Sequence, residues 1–238
     1  MKTIILLVFT ILVASCSLKQ KDENGGIQAS EIKGYWEGEQ RLIVVWDSIM
    51  LHPIKRTSGF HTYTITNDKL AIDNDSSTVI TAKLLKLNSD SLVFEQDNEI
   101  FRYSRAKPVS TVLKFRKIDF NTGPCEGNCP VFDLRVDENG EVTYSGKMYS
   151  EKSGIYYGQL PQQLVGELNE LLSYIDFQKA SENLLPPPAD NQKSELRIWF
   201  KNHQVVQVKN GTGESKYNAL LNVLYNLGDI VELKSKTP

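Results

Sequence analysis

The chain has little cysteine, little histidine and no long apolar run beyond its first residues. Three cysteines stand at positions 16, 125 and 129 of 238 residues. That allows one intrachain bridge and excludes a disulfide-dense scaffold. The histidines, His52, His61 and His203, show none of the spacings that bind zinc, so no metal is expected. No Gly-x-Ser-x-Gly elbow, His-Glu-x-x-His pair or phosphate-cradling glycine loop occurs, so no catalytic residue and no cofactor is assigned. Charge is nearly balanced, with 27 Lys and Arg against 29 Asp and Glu. Nucleic-acid binding draws on a basic stripe that neutralises phosphates, and none is present. After residue 15 nothing approaches the about 20 apolar residues of a spanning helix.

What is present begins at the N-terminus. Met1-Lys2-Thr3 is a short positive start, and Ile4 to Val13 is apolar apart from Thr10. This core has the length of a secretory signal, about 7–15 residues. Val13-Ala14-Ser15-Cys16 resembles the lipobox of bacterial lipoproteins, with Val13 where that family favours Leu. The resemblance implies that residues 1–15 are a cleaved signal and that Cys16 becomes the acylated first residue. Two or three acyl chains make such an anchor stable. Ser17 is not the aspartate that commonly retains lipoproteins in the inner membrane, so an outer-membrane address is expected. Residues 16–30 form a tether without apolar periodicity, including a Gly25-Gly26 pair. Within it Gln20-Lys21-Asp22-Glu23 resembles an acidic signal for export to the cell surface; a solvated linker is the other reading.

The remainder divides by periodicity into an all-β domain, residues 31–106, and an α+β domain, residues 107–238, for an α+β fold overall. From Glu31 to Arg105 short strands alternate with turn residues. They are expected over residues 41–51, 60–66, 69–72, 79–87, 92–94 and 100–103, with turns at Asn67-Asp68, Asn88-Ser89-Asp90 and Asp97-Asn98. Such a meander curls into a barrel or sandwich. Gly34-Tyr35-Trp36 resembles the Gly-x-Trp at the first strand of lipocalins and of smaller lipocalin-like domains. That likeness implies a small barrel closed at its base by Trp36, which is either a core aromatic or a ligand contact. Lys107-Pro108 marks the boundary. Beyond it the spacing predicts strands over residues 112–120, 131–136, 141–145 and 154–160, then a helix started by Pro161 with a stripe from Leu164 to Ile175. A strand pair around Leu196–Phe200 and Val205–Val208 follows, then a helix striped from Tyr217 to Val231. The order predicts two helices on one face of an antiparallel sheet.

The most specific motif is Cys125-Glu126-Gly127-Asn128-Cys129-Pro130, followed by Phe132 and by Gly140-Glu141-Val142-Thr143-Tyr144-Ser145-Gly146. It is similar to an uncharacterised family of exported bacterial lipoproteins with Cys-x-Gly-x-Cys-Pro, an aromatic two residues on, and Gly-x-Val-x-Tyr-x-Gly. That family, a domain of unknown function, implies no activity. Where it shows a Thr-Asp-x-Pro step, this chain has Pro186-Pro187-Pro188-Ala189-Asp190. Cys125 and Cys129 have three readings: a structural disulfide in an oxidising compartment, a redox pair, or half of a metal site. The disulfide is favoured, because redox pairs usually enclose two residues at a helix start and two thiolates need two further metal ligands. Tyr144, Tyr156 and Tyr157, with Trp36, are the candidate ligand-binding residues; sheet packing is the competing role for the tyrosines.

Two functions remain open. The first is a non-enzymatic envelope lipoprotein, membrane-bound through its lipid, whose ligand is an envelope protein, glycan or lipid. The second is an envelope hydrolase with catalytic residues dispersed in sequence. A polar pocket gathering carboxylates or a histidine separates the second from the first. The lipobox generates its own test. Cys16→Ser should yield a soluble or unprocessed product, and radiolabelled palmitate still entering that protein would sink the lipidation assignment.

Overall fold

The computed structural model describes residues 29–38, 42–47, 49–51, 59–75, 78–110, 113–182, 192–210 and 215–235. The signal, Cys16, most of the tether, His52 and the proline run at 186–188 lie outside these residues. Within them the fold is mostly antiparallel sheet with few helices, arranged as two sheets.

The first sheet is a closed barrel. One helical turn, α1 (Ala29–Ile32), leads into β1 (Gly34–Glu37), β2 (Leu42–Val45), β3 (Ile49–Leu51) and β4 (Phe60–Thr66). β5 (Lys69–Asp75), β6 (Thr78–Leu87), β7 (Ser91–Gln96) and β8 (Glu99–Arg105) follow. Each strand pairs with the next, and β8 returns to β1 through Trp36↔Arg105 and Glu37↔Ser104. Closure removes both sheet edges. The turns form as their residues dictate. Asn67, Asp97 and Asn98 take positive φ of 57°, 51° and 64°, and the Asn88 side chain accepts from the Asp90 and Ser91 amides at 3.0 and 2.8 Å. One expectation is corrected. The apolar run over residues 41–51 is two strands, because the chain reverses at Trp46-Asp47, where the Trp46 amide donates to Ile49 O at 2.9 Å.

An eight-stranded barrel is just wide enough for side chains to fill. Here Trp36, Ile43, Val45, Leu70, Leu84 and Phe94 are buried together in its core. Trp36 is fully buried; its indole donates to Ile32 O at 2.7 Å, and the Arg105 guanidinium lies 3.7 Å over its ring.

The second sheet has seven antiparallel strands. β9 (Phe115–Thr122), β10 (Phe132–Asp137), β11 (Glu141–Gly146) and β12 (Gly154–Gln159) precede α2 (Gln162–Ser173) and α3 (Phe177–Glu182). Then come β13 (Ser194–Phe200), β14 (Val205–Lys209), α4 (Ser215–Tyr225), α5 (Leu227–Ile230) and β15 (Lys234–Ser235). Their order is β14-β13-β9-β10-β11-β12-β15. The expected stripe of α2 buries Val165, Leu168, Leu171 and Leu172. The last helix breaks at Asn226 instead of running through to Val231. Helix α3 and strand β15 are too short for a sequence period to reveal.

Barrel and sheet share apolar surface. β2 is buried on both sides: Ile43 and Val45 face the barrel, while Leu42 and Val44 join Tyr35 and Trp46 in the core formed with α2 and α4. Tyr35 stacks 4.3 Å from Tyr174, and its hydroxyl donates to Glu167 O at 3.0 Å. Around this contact Lys33 Nζ lies 2.7 Å from Asp47 and 2.9 Å from the buried Glu167 carboxylate. Hydrogen bonds to those two carboxylates hold the Lys33 ammonium well above its usual range. Glu170 is also raised, which for a carboxyl disfavours the charged form: partial burial raises it, and the neighbouring Glu167 charge raises it further.

Because its pKa is higher folded than unfolded, Glu170 favours folding only while protonated, and that contribution is lost as pH rises through the folded value. Glu170→Gln should therefore raise the urea midpoint at pH 7 by an amount worth less than about 1 kcal/mol, since the site is partly solvated. At pH 3.5, below the ordinary glutamate pKa of about 4.3, the gain should shrink toward zero. A lower midpoint at pH 7 would contradict this.

Candidate functional site

The residues of the cysteine motif meet at one place. The β10–β11 turn is closed by Gly140 at φ 86° and by Asp137, whose carboxylate accepts from the Asn139 and Glu141 amides at 2.9 Å each. This sets the register in which Phe132 faces Gly146 and Leu134 faces Tyr144. At Gly146 the chain folds back so closely that a Cβ there would overlap the Lys152 carbonyl oxygen. The returning loop is pinned to the motif by two backbone bonds, Val131 N to Met148 O at 2.7 Å and Lys147 N to Val131 O at 2.8 Å.

Between this loop and the break separating α4 from α5 lies a cleft of about 540 Å³. Phe132 and Tyr144 stack at 5.1 Å on its sheet side, and Tyr225 of α4 meets Phe132 edge-on at 5.6 Å. Tyr149, Glu151, Lys152, Asn222 and Asn226 also line it. Burial pushes the Tyr225 hydroxyl up to about 12. It stays protonated and donates to Gln192 Oε1 at 2.6 Å. The Gln192 amide in turn donates to Gly123 O at 2.9 Å and Pro130 O at 2.6 Å, tying both ends of the cysteine turn to α4. Thr122 completes the brace, its hydroxyl donating to Pro130 O and accepting from the Phe132 amide, both at 2.9 Å.

The structure places the sequence candidates unevenly. Cys125 and Cys129 are joined, with a Cα–Cα distance of 5.8 Å, inside the 4.4–6.8 Å that a bridge requires. They sit in the turn between β9 and β10, not at the start of a helix. Tyr144 lines the cleft, and Tyr156 stands opposite it on β12 with rings 6.5 Å apart. Tyr157 pairs with Thr143 on the other face of the sheet and is 43 % exposed there. Strand alternation forbids adjacent Tyr156 and Tyr157 from sharing a face, so the three tyrosines are not one platform. Trp36 plugs the barrel and faces no surface. His61 lies on β4, where its Nδ1 pairs with Asp73 O at 3.0 Å; His203 occupies the β13–β14 turn at φ 67°. The two belong to different sheets. On the face bearing Tyr157, Trp199 also stands, but Lys117 already covers its ring at 3.7 Å.

Sequence reasoning missed Tyr225, Asn222, Asn226 and Gln192. A signal for the first three existed: they are spaced i, i+3 and i+4, one helical face with polar amides flanking an aromatic.

A ring as short as the one closed by Cys125 and Cys129 restrains little unfolded-chain entropy, about 2 kcal/mol. The double replacement Cys125→Ala, Cys129→Ala should lower unfolding stability by about that much. Alkylation of the native protein without reductant should label neither cysteine by mass spectrometry. Two labelled thiols would remove the bridge.

Residues 116–231 match the family described as Domain of unknown function (DUF6438). No curated protein matches the chain. The matched segment runs from the first residues of β9 to the end of α5 and holds the cysteine turn, the β10–β11 hairpin and α4. The C-terminal half of this chain is thus similar to an uncharacterised domain family, and the cleft is made almost wholly of residues within that match.

Proposed function

We propose that the chain is a lipid-anchored protein of the outer membrane that binds a ligand, without turning it over, in the aromatic cleft. One observation carries this reading: Pro130, Phe132 and Tyr144, three residues of the motif, all line the cleft, and Gly146 shapes the loop that walls it. The remaining motif positions build the turns that hold those side chains. At about 540 Å³ the cleft falls among small-molecule sites, roughly 300–1,000 Å³. In this reading residues 31–106 and 107–238 are two domains, all-β and α+β, joined through the faces of β1 and β2. The lipocalin-like barrel serves as support, and residues 16–30 hold the whole off the membrane, on its periplasmic or its outer side.

The hydrolase alternative draws less support. Among the described residues lining the cleft, Glu151 is the one carboxylate and no histidine is present, whereas glycoside hydrolysis needs two carboxylates flanking the bond. The protein's motif residues supply aromatic surface and turns, not an acid and a base.

A thermal-shift screen of envelope glycans, lipids and peptides against the full chain tests the reading. Ligands that raise the melting temperature of the wild type should raise that of Tyr149→Ala by less at the same concentration. Stabilisation that persists undiminished in Tyr149→Ala would move the site elsewhere.

A further inference from the structure

Resting on the binding reading above, we infer that the cleft takes a saccharide, an uncharged hydroxyl-rich ring held flat against Tyr144 and clamped by Tyr149. The floor favours such a ring. Phe132 backs Tyr144, the two rings stacked with centroids 5.1 Å apart and planes 26° apart, and Tyr225 stands upright at 83° to Phe132. A sugar presents a face of C–H bonds that covers aromatic carbon and a rim of hydroxyls that reaches outward.

The walls match that rim. Among the described lining residues, Glu151 and Lys152 carry opposite charges. Asn222 and Asn226 add carboxamides, each with donors and an acceptor. Asn226 is oriented by its own amide, which donates to Asn222 O at 2.7 Å. Hydroxyls both donate and accept, and so pair with carboxylate, ammonium and amide alike. An acyl chain would leave all four polar groups dry and unmatched, at a cost that an apolar tunnel avoids.

Tyr149 is the second, independent observation. It holds φ at 56°, a region that non-glycine residues enter against a steric penalty, and its ring is 57 % exposed at the lip of the cleft. The two backbone bonds to Val131 hold Lys147 and Met148, the residues just before Tyr149. Strain of this kind persists where surrounding structure over-determines it, and it clusters at ligand clamps. A ring closing over a bound sugar would bury the aromatic surface that the loop otherwise leaves in water.

Calorimetric titration of the full chain with chitotetraose, maltotetraose, cellotetraose and mannotetraose tests the inference, with palmitate and tetra-alanine as the lipid and peptide arms. At least one of the neutral tetrasaccharides should saturate the protein at one site. Tyr149→Gly should weaken that saccharide by about fivefold to tenfold, the loss expected of one aromatic stacking contact. The same replacement relieves the positive φ and should leave the unfolding midpoint unchanged or higher, which separates a lost clamp from a lost fold. Tyr157→Ala, on the opposite face, should bind as the wild type does. Binding that is equal in Tyr149→Gly overturns the clamp, and no binding by any of the four saccharides overturns the saccharide. Palmitate or tetra-alanine binding that Tyr149→Gly weakens would keep the cleft as the site while excluding the sugar.

Discussion

Everything in this molecule is arranged around one strand with two apolar faces. β2 reads Leu42-Ile43-Val44-Val45, and all four are buried. A strand in a half-solvated sheet alternates; one that is apolar throughout must be covered twice. One set of its side chains fills the barrel, and the other lies in the core under α2 and α4. Four fully buried branched side chains are worth roughly 1.5–3 kcal/mol each, far more than the peripheral ion pairs around Lys33. The contact between barrel and sheet is therefore chiefly hydrophobic. Lys33, Asp47, Glu167 and the Tyr35 hydroxyl then select one orientation among those that apolar burial alone would accept.

From β2 the constraint passes to the cleft. Helix α4 packs on β2 and β3 with one side and carries Asn222 and Tyr225 on another. Tyr225 reaches Gln192, and Gln192 holds the carbonyls of Gly123 and Pro130. A chain of direct contacts thus runs from the barrel through α4 to the cysteine turn. In this chain the disulfide plays a local part. A bridge enclosing three residues adds little to global stability by loop entropy. Its effect is to narrow the conformations of the turn whose carbonyls Gln192 must find, and whose last residue sets the start of β10.

How much of this could be read from the residues varies with the range over which each signal acts. Local chemistry was legible. Asn67, Asp97 and Asn98 mark left-handed turns because their short polar side chains tolerate that backbone, and they adopt it. Pro161 starts α2, and the stripe of α2 is buried as its spacing requires. The cysteine spacing with Gly127 between suited a closed bridge. Features that depend on tertiary context were not legible. The apolar run over residues 41–51 hides a reversal at Trp46, because apolar residues continue through it to serve two cores. Tyr156 and Tyr157 looked like partners in composition, yet the pleat sends them to opposite faces. Tyr225 lies off the apolar stripe read for its helix; that its ring walls a cleft depends on where the β11–β12 loop comes back, a contact between elements about seventy residues apart in sequence. No period carries such information.

The same distinction separates the barrel's architecture from its role. In larger barrels the lumen is the place for a ligand, since such barrels enclose cavities. In this barrel Trp36, Phe94 and their apolar neighbours occupy the interior, and α1 with Arg105 closes over Trp36. Displacing any of these buried side chains would cost several kcal/mol. Polar and aromatic groups come together instead at the motif-lined cleft. Architecture and function are separate matters within a single chain: the barrel supplies the double-sided strand that fixes α4, and α4 supplies the wall that the motif's aromatics face.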